Sequence, residues 1–395
     1  MKAFAPIRWP SLLCLLVTLL PAQVIAASAI LGREAVTFSL PRDVSAIAWS
    51  PNFRYLAVSY DRDSRITSFD LRTKRRLWTA EKLMGIDPPP QRALRFSLDS
   101  SLIFTSSAVT LAKAGGDKTV SILSAADGHI ERTLAYQPAK IGQAAALEIA
   151  VARNGPLLFV IPGMQGQVIA YDTHSWEITR TYNFDERGIS SAFSHVALDE
   201  NRNLLWIAEG GGVTDAANIQ LRRLDTGEQI SKFEPFQVAV TVIQLNPKTG
   251  ELVAGGTGNI QGRRDSKTGE VREFSDDPQT LVRAFDPVNG GQTRIYSGPG
   301  GSVGGLSISP DGSLIAASKS RSAMMPPELR SVLGCVAPCG TPSPAYLLIW
   351  DANTGELLDS RALGSASLGD VAFSPDGKSL AYVVNSTVHI VEVTR

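Results

Sequence analysis

The chain has 395 residues, of which 44% are hydrophobic, so it can bury a large core. Lys and Arg together number 38, and Asp and Glu together number 38, which leaves no formal net charge. A protein that binds nucleic acid carries a basic excess or a basic stripe, so we expect no nucleic-acid partner.

The N-terminus has the pattern of a secretory signal. Lys2 and Arg8 precede a strongly apolar run at residues 12–20, and small side chains occupy most of residues 24–29. A positive end, a short apolar segment and small residues at a cleavage site occur in this order in signal peptides. The apolar run is shorter than the roughly 20 residues that a bilayer requires, although an uncleaved anchor is the alternative.

Cleavage is predicted after Ala26, with Ala27 and Ala29 as alternative sites. Residues 1–26 are then the signal peptide, and residues 27–395 form the mature chain. We expect the mature chain to have no membrane span and to be periplasmic or secreted.

A repeated unit dominates the rest of the chain. Each copy has an apolar strand that ends in Ser-Pro-Asp-Gly or a relative, a second apolar strand, a third strand that ends in an aromatic residue or Leu plus Asp, a Thr-Gly-Glu turn and a fourth strand. The clearest copy opens at Gly305–Gly312, resumes at Tyr346–Asp351 and turns at 353–356. Pro, Asp and Gly favour tight turns, so the pattern predicts many short antiparallel strands.

The repeat predicts seven units and a closed ring. The third strands are predicted to end near residues 70, 124, 172, 225, 286, 351 and 392. The seventh unit has only three strands, and the unpartnered segment Glu34–Leu40 is predicted to complete it. The count is least defined at 238–297, where Asp265–Glu270 could be a turn between third and fourth strands and an eighth blade is the alternative.

Trp350-Asp351, the Ser-Pro-Asp-Gly turns and the four-strand rhythm resemble the WD40 β-propeller family over nearly the whole mature chain. The chain departs from that family because no Gly-His dipeptide precedes a unit, only one unit ends in Trp-Asp, and the units exceed about 40–45 residues. The resemblance implies an all-β propeller of seven four-stranded blades, of a divergent, exported bacterial type, that binds protein or peptide.

An insertion at 319–345 separates the second and third strands of the sixth unit. Long insertions on rigid scaffolds often carry binding surfaces, although a loop packed against its own blade is the alternative. The predicted interaction residues in this insertion are Met324, Met325, Leu329, Arg330 and Leu333.

Cys335 and Cys339 lie in the same insertion and are expected to form a structural disulfide in an oxidising compartment. The chain has four histidines, which are scattered in the sequence, so we expect no zinc site and no other cofactor. These histidines are His129, His174, His195 and His389.

No catalytic motif stands out, and Ser194 beside His195 has no third member that the sequence identifies. The function expected is that of a monomeric, non-catalytic interaction or scaffolding module. The alternative is a propeller enzyme or cofactor-binding protein, quinoprotein-like or hydrolase- and lactonase-like, with its ligand in the central channel. Inward-facing polar residues with shifted pKa values at the channel mouth would favour the channel ligand.

Overall fold

The protein is a seven-bladed β-propeller built of seven four-stranded antiparallel sheets. The computed structural model describes residues 30–60, 65–81, 93–106, 118–135, 146–162, 167–183, 193–209, 218–237, 239–257, 259–264, 271–324, 340–364 and 368–394. In these ranges the only helical turns are two short 3-10 turns, Glu200–Arg202 and Pro278–Thr280, and no helix is long and apolar enough to cross a bilayer.

Each blade runs from an inner strand at the central channel to an outer strand at the rim. Blades 1 to 3 consist of β2 (Val44–Trp49), β3 (Tyr55–Tyr60), β4 (Ile66–Asp70), β5 (Arg75–Ala80); β6 (Leu94–Phe96), β7 (Leu102–Ser106), β8 (Lys118–Ser124), β9 (Ile130–Ala135); and β10 (Ala146–Val151), β11 (Leu157–Pro162), β12 (Gln167–Asp172), β13 (Ile178–Asn183). Blade 4 consists of β14 (Phe193–Asp199), β15 (Leu204–Glu209), β16 (Asn218–Arg223) and β17 (Gln229–Phe233).

The remaining blades include an inserted hairpin and the closing strand. Blade 5 consists of β18 (Ala239–Leu245), β19 (Leu252–Thr257), β22 (Val282–Phe285) and β23 (Gln292–Ile295), with the hairpin β20 (Asn259–Arg264) and β21 (Val271–Ser275) between its second and third strands. Blade 6 consists of β24 (Ser302–Ile308), β25 (Leu314–Met324), β26 (Gly340–Asp351) and β27 (Leu357–Ala362). Blade 7 consists of β28 (Leu368–Phe373), β29 (Ser379–Val384), β30 (Thr387–Val393) and β1 (Leu31–Ser39).

The ring is closed by the N-terminal strand, as the sequence predicts. Strand β1 pairs antiparallel with β30 and becomes the outer strand of blade 7. The Leu31 N–H also donates to the Asp359 carboxylate at 2.9 Å, and the Arg361 guanidinium donates to the Leu31 carbonyl. Both contacts join β1 to blade 6, so the chain start is held by two blades and the ring has no open end.

The blade count is seven, and the eighth-blade alternative is wrong. The segment between 257 and 282 holds the separate hairpin β20–β21, and β22 pairs directly with β19. Residues 265–270, where a turn between third and fourth strands is the alternative, lie outside the described residues, but the strands that flank them pair with each other and not with a blade. The third strands end at Asp70, Ser124, Asp172, Arg223, Phe285, Asp351 and Val393, within two residues of the predicted positions.

The Ser-Pro-Asp-Gly turns are held by side-chain bonds to the backbone. In blade 6, the Ser309 hydroxyl donates to the Asp311 carboxylate at 2.7 Å and accepts the Leu314 N–H at 2.9 Å. Gly312 has φ +70°, a conformation that glycine adopts without a Cβ penalty. The same serine–carboxylate bond links Ser374 to Asp376 in blade 7. The sequence signature thus codes for a hairpin that sets the register of strands one and two.

The two ends of the propeller differ in their connections. Antiparallel strands place all first-to-second and third-to-fourth connections at one end, which we call the turn face, and all others at the opposite end, which we call the long-connection face. Connections on the turn face have four to six residues, whereas every connection of eight residues or more starts and ends on the long-connection face. The insertion between β25 and β26 belongs to that face.

The hydrophobic core lies between neighbouring blades. One cluster joins Ile47 and Leu56 of blade 1 to Ala381 and Ile390 of blade 7, and five others bridge the remaining neighbours in the same way. Burial of apolar surface, worth about 25 cal/mol per Å², therefore holds the blades to one another.

A repeated hydrogen bond fastens the rim. The Trp78 Nε1–H at the outer strand of blade 1 donates to the Ala125 carbonyl of blade 2 at 3.0 Å. The Tyr296 hydroxyl of blade 5 donates to the Ala352 carbonyl of blade 6 at 2.8 Å, and the Tyr182 hydroxyl does the same between blades 3 and 4. We call these contacts the rim latches.

The Trp78 latch needs a glycine in the receiving turn. Gly128 has φ +76°, and a Cβ there would overlap the Trp78 ring. Gly364 has nearly the same conformation, φ +70°, but open space around its Cα. A substitution at Gly364 therefore tests backbone strain alone, whereas a substitution at Gly128 adds the overlap with the Trp78 ring.

Gly128→Ala is expected to lower the free energy of unfolding by about 3 kcal/mol, because strain and overlap add. The matched control Gly364→Ala is expected to cost about 1 kcal/mol from strain alone. Chemical denaturation of both variants measures the difference. Equal losses at the two positions would contradict the latch.

A buried lysine joins blades 5 and 6. Lys319 has no exposed surface, and its Nζ donates to the Pro278 carbonyl at 2.8 Å and to the Gly298 carbonyl at 3.0 Å. Burial lowers the pKa of Lys319 to about 8, against the opposing charge of Asp277. The folded protein therefore releases this proton at a lower pH than the unfolded chain.

Because the pKa of Lys319 is lower in the fold, its contribution to stability rises with pH above the folded value. Relative to Lys319→Met, the free energy of unfolding of the wild type is expected to rise by about 2 kcal/mol between about pH 7 and about pH 9.5. Urea denaturation at both pH values measures the change. Lys378→Met, at an exposed turn, is the control and should follow the wild type. A Lys319→Met profile parallel to the wild type would contradict the shift.

Candidate functional site

The central channel contains a cavity of about 520 Å³ that every blade helps to line. Small side chains contribute to its wall from the inner strands of blades 1, 3, 4, 6 and 7. Examples are Ala48, Ala150, Ala197, Gly305 and Ala372. Small residues at these positions leave the axis of the ring open, and a cavity of this size is typical of ligand sites.

Three polar side chains interrupt the small residues on one arc of the channel. Arg95 on β6 donates from Nη2 to Oε1 of Glu148 on β10 at 2.8 Å. The other carboxylate oxygen of Glu148 lies 3.1 Å from Nδ1 of His195 on β14. These residues, which we call the channel cluster, come from three successive blades. They lie near the start of their inner strands, on the side of the long-connection face.

Glu148 is the centre of the cluster and is almost fully buried. Its burial acts to raise its pKa, but Arg95 first, then His195 and the Ile149 N–H, hold the pKa below its usual value. The carboxylate is therefore ionised at neutral pH. An ionised carboxylate only accepts hydrogen bonds, so Nδ1 of His195 carries the proton that faces it.

His195 lies in the cavity wall, and its second nitrogen, Nε2, has no partner among the described residues. The side chain is 8% exposed and lines the cavity, and among the described residues its single partner is Glu148. With the proton on Nδ1, Nε2 of the neutral ring is a hydrogen-bond acceptor. A carboxylate that fixes the tautomer of a histidine is the arrangement found behind many histidine bases and ligands.

Asp370 on β28 lies at the corresponding inner-strand position of blade 7. One carboxylate oxygen accepts the Val371 N–H at 2.8 Å, and the other accepts the Ile47 N–H of blade 1 at 3.2 Å. The backbone of two blades thus engages both oxygens. Asp370 thus links the inner strands of blades 7 and 1, which share no backbone ladder. Because both of its oxygens already accept hydrogen bonds, its carboxylate is a weaker acceptor for a ligand than an uncommitted one.

Arg95 is the most accessible member of the cluster. Its side chain is 35% exposed, whereas Glu148 is 8% exposed. Nη1 donates to the Leu94 carbonyl, and among the described residues the guanidinium has no other partners than this carbonyl and Glu148. Gln244 lines the same cavity, and no described group binds its side-chain amide. The cavity therefore offers a guanidinium, an imidazole and an amide.

The predicted interaction residues are not tested by the structure. Met324 ends β25, and nothing is described of its side chain. Met325, Leu329, Arg330 and Leu333 lie outside the described residues, as do Cys335 and Cys339 and residues 1–29. The base of the insertion is described, because β25 and β26 continue their pairing out to Met324 and Gly340.

The sequence did not identify the channel cluster. The apolar segment Leu157–Val160 lies in the second strand of blade 3, and β10 precedes it. The repeat signature therefore does not single out Glu148 on β10, and the sequence identifies no partner for His195. A usable signal was the position of Glu148, His195 and Asp370, each four residues before the residue that opens the first turn, Ala152, Asp199 and Ser374.

No group of three or more His, Cys, Asp and Glu side chains converges as a metal site within the described ranges. The channel cluster supplies one histidine and one carboxylate, and the carboxylate already binds Arg95. The expectation of a chain without metal or cofactor remains an expectation.

No model of a known protein family matches this chain. No curated protein sequence matches it significantly either. The site is therefore interpreted from its own geometry.

Glu148→Gln is expected to lower the free energy of unfolding by about 1–3 kcal/mol at neutral pH, because Arg95 and His195 lose a charged acceptor. The pKa of Glu148 is lowered in the fold, so its stabilisation is present above the unfolded pKa and is lost as pH falls through the folded pKa. The difference in the free energy of unfolding between the variant and the wild type should therefore be smaller at acidic pH than at neutral pH. Denaturant titration at neutral and at acidic pH measures it. The exposed Glu131→Gln is the control. A pH-independent difference would contradict the ionised carboxylate.

Proposed function

We propose that this protein is a non-catalytic binding module whose partner docks at the long-connection face and inserts a polar group into the central channel. One observation carries the proposal. The cavity follows the axis of the ring, and its wall holds the 35% exposed guanidinium of Arg95 and the imidazole of His195 on the side of that face.

The geometry of the scaffold supports binding rather than catalysis. A rigid ring places the cluster in a fixed position, because each member comes from an inner strand held by its own blade. The longest connections start and end on the same face, and long connections on a rigid scaffold commonly form binding surfaces. A protein or peptide partner fits this combination of a broad face and a narrow axial cavity.

The proposal includes export and a relationship to WD40-like propellers. Cleavage after Ala26 would leave β1 intact, since that strand begins at Leu31. In an oxidising compartment, Cys335 and Cys339 would pair. The serine–carboxylate bonds of the first turns, Ser309 to Asp311 and Ser374 to Asp376, support the family relationship.

A catalytic or cofactor-binding channel is the second candidate. Two observations favour it: the inward-facing polar cluster contains Glu148, whose pKa is lowered, and Glu148 orients His195 through Nδ1 as it would orient a base. This candidate requires a small ligand that fits wholly inside the channel. The two functions therefore differ in the mass of the bound molecule, which is a protein or peptide in the first and a small molecule in the second.

A photo-crosslinking amino acid with a short aliphatic diazirine side chain, smaller than phenylalanine so that it does not fill the channel, is placed at one of three positions in the full-length protein and tests the proposal in its native source. Ala372 lies in the channel, Pro344 is exposed at the base of the insertion, and Val288 is 73% exposed on the turn face. Replacing Pro344 removes no backbone hydrogen-bond donor, because proline has no N–H. We expect one protein or peptide adduct from Ala372 and Pro344, and none from Val288, which is the control.

Mass spectrometry of the adduct identifies the partner and also reads the N-terminus, which is expected at Ala27. An adduct from Val288 alone would refute docking at the long-connection face. An adduct from Ala372 with only the mass of a small molecule, with none from Pro344, would favour the catalytic or cofactor-binding channel.

A further inference from the structure

The channel cluster has a donor and an acceptor that face the cavity side by side. Arg95 and His195 bind the two oxygens of one carboxylate, at 2.8 and 3.1 Å, which holds the guanidinium and the imidazole within a few ångströms of each other. Arg95 supplies further N–H donors, and Nε2 of His195 supplies a lone pair. A matching ligand places an anionic oxygen next to an N–H or O–H donor.

The shape of the cavity restricts which part of a protein reaches this pair. The cavity follows the axis of the ring and is lined by inner strands from all seven blades. A folded surface or a chain loop has to enter such a channel as two antiparallel strands of backbone, whereas a chain end enters as one. Chain ends are also the parts of most proteins that are free to enter a pocket.

The accessible charge selects one of the two chain ends. An N-terminus is an ammonium group, which Arg95 repels, and a C-terminus is a carboxylate, which a guanidinium binds through parallel N–H donors. The last residue of a peptide also carries its backbone N–H two bonds from the carboxylate carbon. A C-terminus thus has the anion and the neighbouring donor that the cluster requires.

The acidic residues of the wall do not reverse this selection. Glu148 is buried behind Arg95 and His195 and accepts hydrogen bonds from both. Asp370 uses both oxygens on backbone N–H groups. At the turn-face end, Asp199 binds Arg202 at 2.7 Å. Among the described residues that line the cavity, Arg153, Glu200 and Arg202 lie at its turn-face end, and the charge that remains available on the side of the long-connection face is that of Arg95.

From these contacts we infer that the channel cluster binds the carboxyl terminus of a peptide. Arg95 binds the terminal carboxylate, and Nε2 of His195 accepts the N–H of the last residue. Glu148 is a positioning residue, since it fixes both side chains and does not contact the peptide. The small residues of the wall, such as Ala150 and Ala372, accommodate the last side chains. The inference rests on the proposed function, because it specifies what the partner inserts into the channel.

A pool of acetylated hexapeptides with randomised positions is the probe. It is made once with a free C-terminal carboxylate and once with a C-terminal amide. The mature protein, from residue 27, is incubated with each pool, and retained peptides are quantified by mass spectrometry after gel filtration. Acetylation removes the ammonium group, so the two pools differ only in the charge of the C-terminus.

Five variants locate the binding. Arg95→Leu removes the anion-binding group, and Arg223→Leu removes an exposed arginine at the end of β16 as the matched control. His195→Asn keeps an N–H for Glu148 but deletes the group at the Nε2 position. Ala372→Phe fills the channel on the wall of blade 7, away from the blades that carry the cluster. Should Arg95→Leu fail to fold, Arg95→Lys keeps the charge and loses the planar fork.

We expect the wild type and Arg223→Leu to retain the carboxylate pool about tenfold or more over the amide pool. Arg95→Leu and Ala372→Phe should abolish that preference, and Arg95→Lys should reduce it. His195→Asn should weaken retention by about three- to tenfold, the effect of one lost hydrogen bond.

Equal retention of the two pools, or a carboxylate preference that persists in Arg95→Leu and Arg95→Lys, would overturn C-terminal recognition. If retention in that case still disappears with Ala372→Phe, the channel binds a partner by other chemistry, and the proposed function stands. Retention of neither pool by the folded wild type also overturns the inference. The crosslinks from Ala372 and Pro344 then decide the proposed function separately.

Discussion

The structure depends on how blades hold one another, because no backbone ladder crosses from one blade to the next. Apolar side chains bridge each pair of neighbours, and the rim latches close the outer gap that the taper of the blades leaves. Trp78 illustrates the constraint, since it donates to the next blade and packs where only a glycine, Gly128, leaves space. The blades are therefore held in the ring by side-chain contacts. Closure by β1 keeps all of these contacts in place, because an open ring could lose them one after another.

The same constraint explains the polar residues at the channel. Inner strands of adjacent blades face one another without a ladder, so some of their N–H groups need another acceptor. Asp370 supplies one to Val371 of its own strand and to Ile47 of the next blade. Glu148 has the same type of position but a longer side chain, and it reaches side chains of two neighbouring blades instead of a second backbone group. At this position the Glu148 carboxylate therefore holds the side chains of Arg95 and His195 at the cavity wall.

Repeat sequences of this kind specify strands and turns well because their signals are local. The Ser309–Gly312 turn forms through bonds within five residues, so the sequence predicted it together with the number of blades and the ends of the third strands. The rim latches also have a local sequence pattern. Basic residues stand two positions before the latching aromatics, as in Arg76 before Trp78, Arg180 before Tyr182 and Arg294 before Tyr296. The channel cluster has no such pattern, since its members are 53 and 47 residues apart.

By itself the sequence determined the all-β class, the seven four-stranded units, the closing strand and the place of the insertion between β25 and β26. These follow from turn chemistry and alternation, which act between residues close in the chain. The fold alone shows that β20 and β21 form an inserted hairpin, and that Arg95, Glu148 and His195 share a site. The reason is geometric: closing the ring brings inner strands of successive blades side by side, and side chains about 50 residues apart meet at the axis.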